Sequence, residues 1–141
     1  MSALLEMGKL SLAAQPFSCY MGVKFEEAAV GDVVLSMPVK EEYKQNFGTI
    51  HGGVIGFMAD IGLAYAAAST VKDCVTSELK INYVKPAVGD QVVARAKTVA
   101  VGKRQVVCEC KVFVRVTETA EETLVAIALG TVNRRDVDVR Q

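Results

Sequence analysis

An α+β fold is predicted by two features of this sequence. One is a twenty-residue stretch, Gly52 to Val71, whose only charge is Asp60. The other is a series of valine-rich or alternating runs on either side of it, separated by short polar turns. A helix that is apolar all round has to be enclosed by protein. A strongly curved antiparallel sheet wrapped around one long central helix encloses it and buries the strand faces as well.

Taken in order, Met1 to Leu12 is mildly amphipathic, and residues 1–16 read as an N-terminal extension or short helix ahead of a single domain over 1–141. Val33–Val39 reads as a strand behind the turn Gly31-Asp32, with Met21–Phe25 as its pairing partner. Glu41–Gly48 is polar and carries the loop signals Asn46 and Gly48. The helix starts near Gly52 and runs to Ser69 or Thr70. Four strands follow. Thr76–Val84 alternates, with Ser77, Leu79, Ile81 and Tyr83 on one face and Thr76, Glu78, Lys80 and Asn82 on the other. Gln91–Val101 follows the turn Pro86–Asp90. After the tight turn Gly102-Lys103, Arg104–Thr117 places Val106, Cys108, Cys110, Val112, Val114 and Val116 inward. Beyond a polar loop at Glu118–Glu122, Leu124–Asn133 is apolar on both faces, which suits a central or doubly covered strand.

Composition removes several function classes. Sixteen basic residues balance sixteen acidic ones, whereas a nucleic-acid protein ordinarily shows a basic excess on one face. The four cysteines (Cys19, Cys74, Cys108, Cys110) form no C-x-x-C, and His51 is the sole histidine, so no metal site is expected. Cys108 and Cys110 read as buried core thiols. Reduced cysteines without an export signal fit the cytoplasm. Gly52–Val71 is long enough for a membrane span. Its Gly and Ala content, central carboxylate and following strands favour a buried helix and no membrane partner.

The segment Gln45-Asn46-Phe47-Gly48-Thr49-Ile50-His51-Gly52-Gly53 leads into the helix. Two glycines at a helix start let a ligand approach the backbone. The first-turn N–H groups have no helical acceptors and sit at the positive end of the dipole, so they can stabilise an oxyanion. The plainer reading is that Gly52-Gly53 only permits a tight turn. Asp60 is the more telling residue. A carboxylate without partners is costly inside an apolar helix, so it has either a chemical use or nearby donors that hold it. The lone His51 is read first as structural. With no G-x-S-x-G and no reactive cysteine setting, a Ser-His-Asp or Cys-His mechanism is not expected.

Gly48-Thr49-Ile50-His51-Gly52-Gly53 followed by Asp60 resembles the H-G-G…D signature of hotdog-fold acyl-CoA thioesterases, in the PaaI-like and 4-hydroxybenzoyl-CoA thioesterase superfamily. Thr76–Pro86 resembles that family's strand ending in Tyr-x-x-Pro, and Gly102-Lys103-Arg104 its Gly-basic turn. The likeness runs from about Phe17 to Asn133. It implies hydrolysis of an acyl-CoA thioester to free acid and CoA, with no cofactor beyond the CoA substrate. Asp60 would be general base or nucleophile. The N–H of Gly52, helped by Gly53, would bind the thioester oxygen. His51 would orient the loop, and Thr76 would position the attacking water. The PaaI-like branch has Asn where Gln45 stands, so Gln45 or the adjacent Asn46 holds the water. Lys85, Lys103 and Arg104 are candidates for the CoA phosphates, against a plain reading as solvated charge. Phe57, with Met58 and Leu63, would line a pocket for a medium-chain or aryl acyl group. The resemblance also implies a homodimer or homotetramer, with sheets joined edge to edge and each site built from two subunits.

Two alternatives stay open. A non-hydrolytic acyl-CoA-binding module needs no buried carboxylate, so Asp60 weighs against it. A hotdog enoyl-thioester hydratase or dehydratase places its His and acid in a different sequence context.

Overall fold

Ser2 accepts a hydrogen bond from the Leu5 N–H at 3.1 Å and so caps helix α1 (Ala3–Ala13). The computed structural model describes residues 2–117 and 121–135. A second short helix, α2 (Pro16–Met21), follows, and the strand expectation for Met21–Phe25 is corrected there. Pro16 presets a helical first turn, and Gly22, at φ 82°, closes the last one with a left-handed residue. Met21 is therefore helical, and strand β1 is Lys24–Ala29. It forms an antiparallel hairpin with β2 (Asp32–Pro38) around Gly31, whose φ is 73°.

Helix α3 is Gly52–Val71, matching the predicted helix to within a residue or two. After it come β3 (Cys74–Tyr83), β4 (Gln91–Val101), β5 (Gln105–Arg115) and β6 (Thr123–Arg134). All pairings are antiparallel, and the sheet order is β1-β2-β4-β5-β6-β3. The segment around Pro86–Asp90 is thus no hairpin turn. It carries the chain from β3, at one edge, to β4 beside β2. Val116, expected inward, follows the end of β5 and is exposed. Of the predicted loop Glu118–Glu122, residues 118–120 lie outside the described part.

The core lies between α3 and the concave face of the sheet. Ile55, Met58, Ala59, Leu63 and Ala66 meet Leu35, Met37, Val92, Ala94, Val106 and Val112, all essentially without solvent contact. Gly62 brings the helix close: a Cβ there would stand 3.0 Å from the Cys110 Sγ and 3.3 Å from the Ala96 Cβ. Cys108 and Cys110 are fully buried, as expected. Burial pushes their thiols up to about 11 and about 12. Although α3 is long and apolar enough to cross a membrane, it packs against β2, β3, β4, β5 and β6.

The sheet encloses α3 on one side only, which corrects the expectation of complete enclosure. A stripe through Gly53, Phe57, Asp60, Ala64 and Ala68 stays partly exposed. The helical hairpin α1–α2 covers part of the remaining face.

Candidate active site

The loop before α3 is held by backbone bonds at both ends. Lys44 bridges Ile50, the His51 N–H donates to the Tyr43 carbonyl (2.8 Å), and the Ile50 N–H donates to the Ala87 carbonyl (2.8 Å). Inside it, Gln45 N–H donates to Thr49 O at 2.7 Å, and Gly48 turns the chain at φ 82°. Asn46 and Phe47 form the exposed tip, whereas Gln45 reaches back, its Nε2 donating to Thr49 Oγ1 at 3.3 Å. The Gln45 side chain, and not Asn46, borders a cavity of about 490 Å³ at the helix start. Gly52, Ile55, Tyr83, Lys85 and Val125 border it too.

His51 caps α3. Its Nδ1 accepts the Gly53 N–H at 2.8 Å. An accepting Nδ1 places the ring proton on Nε2. The Gly53 donor, expected to help bind an oxyanion, is thereby engaged within the loop. The Gly52 N–H has no acceptor among the described residues and is the available donor at this end. Tyr83 supports it, donating from its hydroxyl to the Gly52 carbonyl at 2.9 Å. A Cβ on Gly52 would meet the Tyr83 ring at 3.4 Å. Sequence reasoning gives Tyr83 no role, although it is the Tyr of the Tyr-x-x-Pro motif that carries the family resemblance, and that motif is the signal that points to it.

Asp60 sits two turns further along, half-buried on the open stripe. Thr76 Oγ1 donates to its Oδ1 at 2.7 Å, and no cation pairs with it among the described residues. The contact depends on a β-bulge. Thr76 pairs with Val132 and Glu78 with Thr131, so Ser77 is the extra residue. Strict alternation sets Thr76 opposite Leu79; the bulge returns it to the inner face with Leu79 and Ile81.

Other candidates lie elsewhere. Met58 and Leu63 are wholly buried in the core and cannot line a pocket. Phe57 is half-buried and packs edge-to-face on Phe17, with centroids 4.9 Å apart. Lys103 and Arg104 border a groove at the β4–β5 turn with Gln105 and Asn133. That turn adjoins the start of β3, whereas Lys85 follows its end, ten residues or roughly 30 Å away along the strand.

One helix cannot bring its own Gly52 and Asp60 to a single carbonyl. Eight residues at 1.5 Å per residue separate them by about 12 Å, whereas nucleophile and oxyanion donors must each lie about 3 Å from the reacting group.

Residues 47–121 match the model of the thioesterase superfamily, a span that includes His51, Gly52, Asp60 and Thr76. The chain belongs to that superfamily, and its sheet wrapped on a central helix is the hotdog fold. A Saccharolobus solfataricus protein that carries the provisional name of an esterase is 31% identical over 93% of this chain and 85% of its own length. Human acyl-coenzyme A thioesterase 13 is 30% identical over 72% of this chain and 75% of its own. The solved structure of a mutant of PaaI, a phenylacetic acid degradation protein from Thermus thermophilus, superposes with a TM-score of 0.75 at 29% identity. That match covers 86% of this chain and all of the other.

Proposed function

We propose that the protein hydrolyses acyl-CoA thioesters in a site shared by two copies of the chain. The observation that carries this reading is Asp60: a carboxylate on the open side of a core helix, oriented by one hydroxyl and paired with no cation among the described residues. In the proposed reaction the Asp60 carboxylate takes a proton from water positioned by Thr76. The resulting hydroxide attacks the thioester carbonyl carbon, and the carbonyl oxygen takes up negative charge. The Gly52 N–H of the second copy receives that oxyanion, with the dipole of α3 adding to the donor. Collapse breaks the C–S bond, releasing the acid and the CoA thiolate, which is protonated. Gln45 is placed to hold the water or the thioester from the Gly52 side.

The 12 Å separation within one helix supports a shared site, and so does β3. Among the described residues it is an edge strand with an unpaired side, and its Val75 and Tyr83 are exposed. Pairing β3 with a second β3 would extend the sheet and bring the two α3 helices side by side. The same association would carry Lys103 and Arg104 of one copy towards the CoA held by the other.

The test is a panel of acyl-CoAs with a thiol-trapping dye and light scattering for mass. Hydrolysis by an oligomer, abolished in Asp60→Asn with acyl-CoA binding retained, is the expected result. Binding without thiol release would make the protein an acyl-CoA-binding module. Loss of enoyl absorbance with crotonyl-CoA would make it a hydratase. Single turnover in heavy-oxygen water tests the nucleophile role: an acyl-aspartate intermediate opened by water at the aspartyl carbonyl labels Asp60, whereas direct attack on the thioester never does.

A further inference from the structure

We infer that the tail of a straight-chain aliphatic acyl group runs from Asp60 along α3 into a cavity beneath α1, so that the preferred acyl group is aliphatic and at least of medium length. The inference rests on the hydrolase reading of Asp60. It begins from a cavity of about 310 Å³, separate from the one at the helix start, between α1, the β1–β2 hairpin and the last turns of α3. Leu4, Met7 and Gly8 border it from α1, Phe25 and Val33 from the hairpin, and Ala68 from α3. Its size is at the small end of ligand pockets, about 300–1,000 Å³, and suits part of a ligand rather than a whole one.

The lining is mainly hydrocarbon, and its hydroxyls are satisfied: Ser69 donates to the Ala66 carbonyl and accepts the Gly31 N–H. Ser11 and Tyr65 hydrogen-bond each other at 3.3 Å, so their hydroxyls make no demand on a guest. Lys72 and Asp73 stand where α3 ends and β3 approaches. Gly8 helps to shape the space. A Cβ there would stand 3.0 Å from the Phe25 ring, so α1 lies close against that ring at residue 8.

The path between carboxylate and cavity is written in the helix. Asp60, Ala64 and Ala68 recur every four residues on one side of α3 and are all half-exposed. Ala64 and Ala68 present only methyl groups, which leaves a shallow apolar trough. Its length is about 12 Å, eight residues of helical rise. In the other direction, the side of α3 next to Asp60 is occupied by Phe57, stacked on Phe17. A short acyl group, or a ring attached directly to the thioester, ends over Ala64. Only a longer chain passes Ala68 and takes its last methylenes out of water, each gaining about 0.8 kcal/mol of driving force.

Steady-state kinetics with acetyl-, hexanoyl-, decanoyl- and palmitoyl-CoA test this on the intact protein and on Ala68→Phe, which fills the cavity mouth. For the intact protein, kcat/KM should rise with chain length from hexanoyl onwards. In Ala68→Phe the palmitoyl-to-acetyl ratio of kcat/KM should fall at least about tenfold, the scale of losing one or two buried methylenes. Leu4→Ala, which widens the cavity, should raise the palmitoyl-to-decanoyl ratio of kcat/KM, and so provides the test if Ala68→Phe does not fold. An unchanged length profile in both variants would overturn the inference while leaving hydrolysis standing. If the intact protein hydrolyses no acyl-CoA, the hydrolase reading fails. The tail site is then tested by calorimetry: decanoyl-CoA should bind more tightly than acetyl-CoA, and equal affinities would sink it.

Discussion

Asp60 and Glu122 are both partly sheltered carboxylates, and their surroundings differ in one decisive way. Glu122, just before β6, accepts from Arg95 Nε (2.9 Å) and Arg95 Nη2 (2.7 Å), and Arg115 Nη1 stands 3.4 Å away. Arg115 in turn lies 3.6 Å from Glu26, which accepts from Ser36 Oγ. These side chains sit on the outer face of the sheet, beside Val34 and Val93, which are buried there although no helix covers them. The Arg95 guanidinium holds the Glu122 carboxyl below its ordinary value. Among the described residues Asp60 has only the Thr76 hydroxyl. A carboxylate clamped by two guanidiniums has its charge spent on holding strands together. One held by a single neutral donor keeps its lone pairs for another proton.

The comparison breaks most easily at Asp60. Asp60→Asn keeps the size and the Thr76 contact but removes the base, so kcat should fall by roughly 10²- to 10⁴-fold, the usual span for general-base removal. Thermal unfolding should leave the midpoint nearly unchanged; a large drop in stability would reassign Asp60 to the architecture. Thr76→Val, which deletes the hydroxyl and keeps the shape, should lower kcat by about tenfold, equivalent to one hydrogen bond to a charged group. A change in KM alone would mean that Thr76 touches substrate and not the reacting water. Glu122→Gln should do the reverse: no loss of kcat, and a stability loss of about 1 kcal/mol in urea titration. That value is at the upper end for exposed pairs because the contact is bidentate and Glu122 is partly covered.

These two carboxylates were unequally legible in the sequence. Asp60 stood out because a single charge interrupts twenty apolar residues. The extent of α3 was legible for the same reason, since composition alone marks a core helix. Glu122 looked like ordinary loop charge because its partner Arg95 is 27 residues away, and only strand pairing brings them together. Thr76 is placed on the wrong face by period-two reading, because a bulge at Ser77 shifts the alternation by one and the sequence carries no mark of it. The neighbour of β3 was equally hidden. Its own apolar pattern says that one face is covered, while the choice of β6 over β4 is made by the sheet as a whole. The α2 helix has clear punctuation in Pro16 and Gly22, but six residues are too few to show a period.

Acid titration sharpens the contrast with the smallest effect. Glu122 has its folded-state pKa lowered, chiefly by the hydrogen bonds from Arg95. A group of that kind stabilises the fold above its ordinary value of 4.5, and the contribution is lost as pH falls from there through the lowered value. The stability difference between the parent protein and Glu122→Gln should therefore be constant from pH 7 to about 5 and shrink towards zero below pH 4.5. Thermal melts of both proteins across that range measure it directly. A difference that persists undiminished at the acid end would mean that the Glu122→Gln side chain fails for reasons of shape. The Arg95 clamp would then owe its strength to hydrogen-bond geometry and not to charge, and the distinction between a spent carboxylate and a free one would have to be redrawn in those terms.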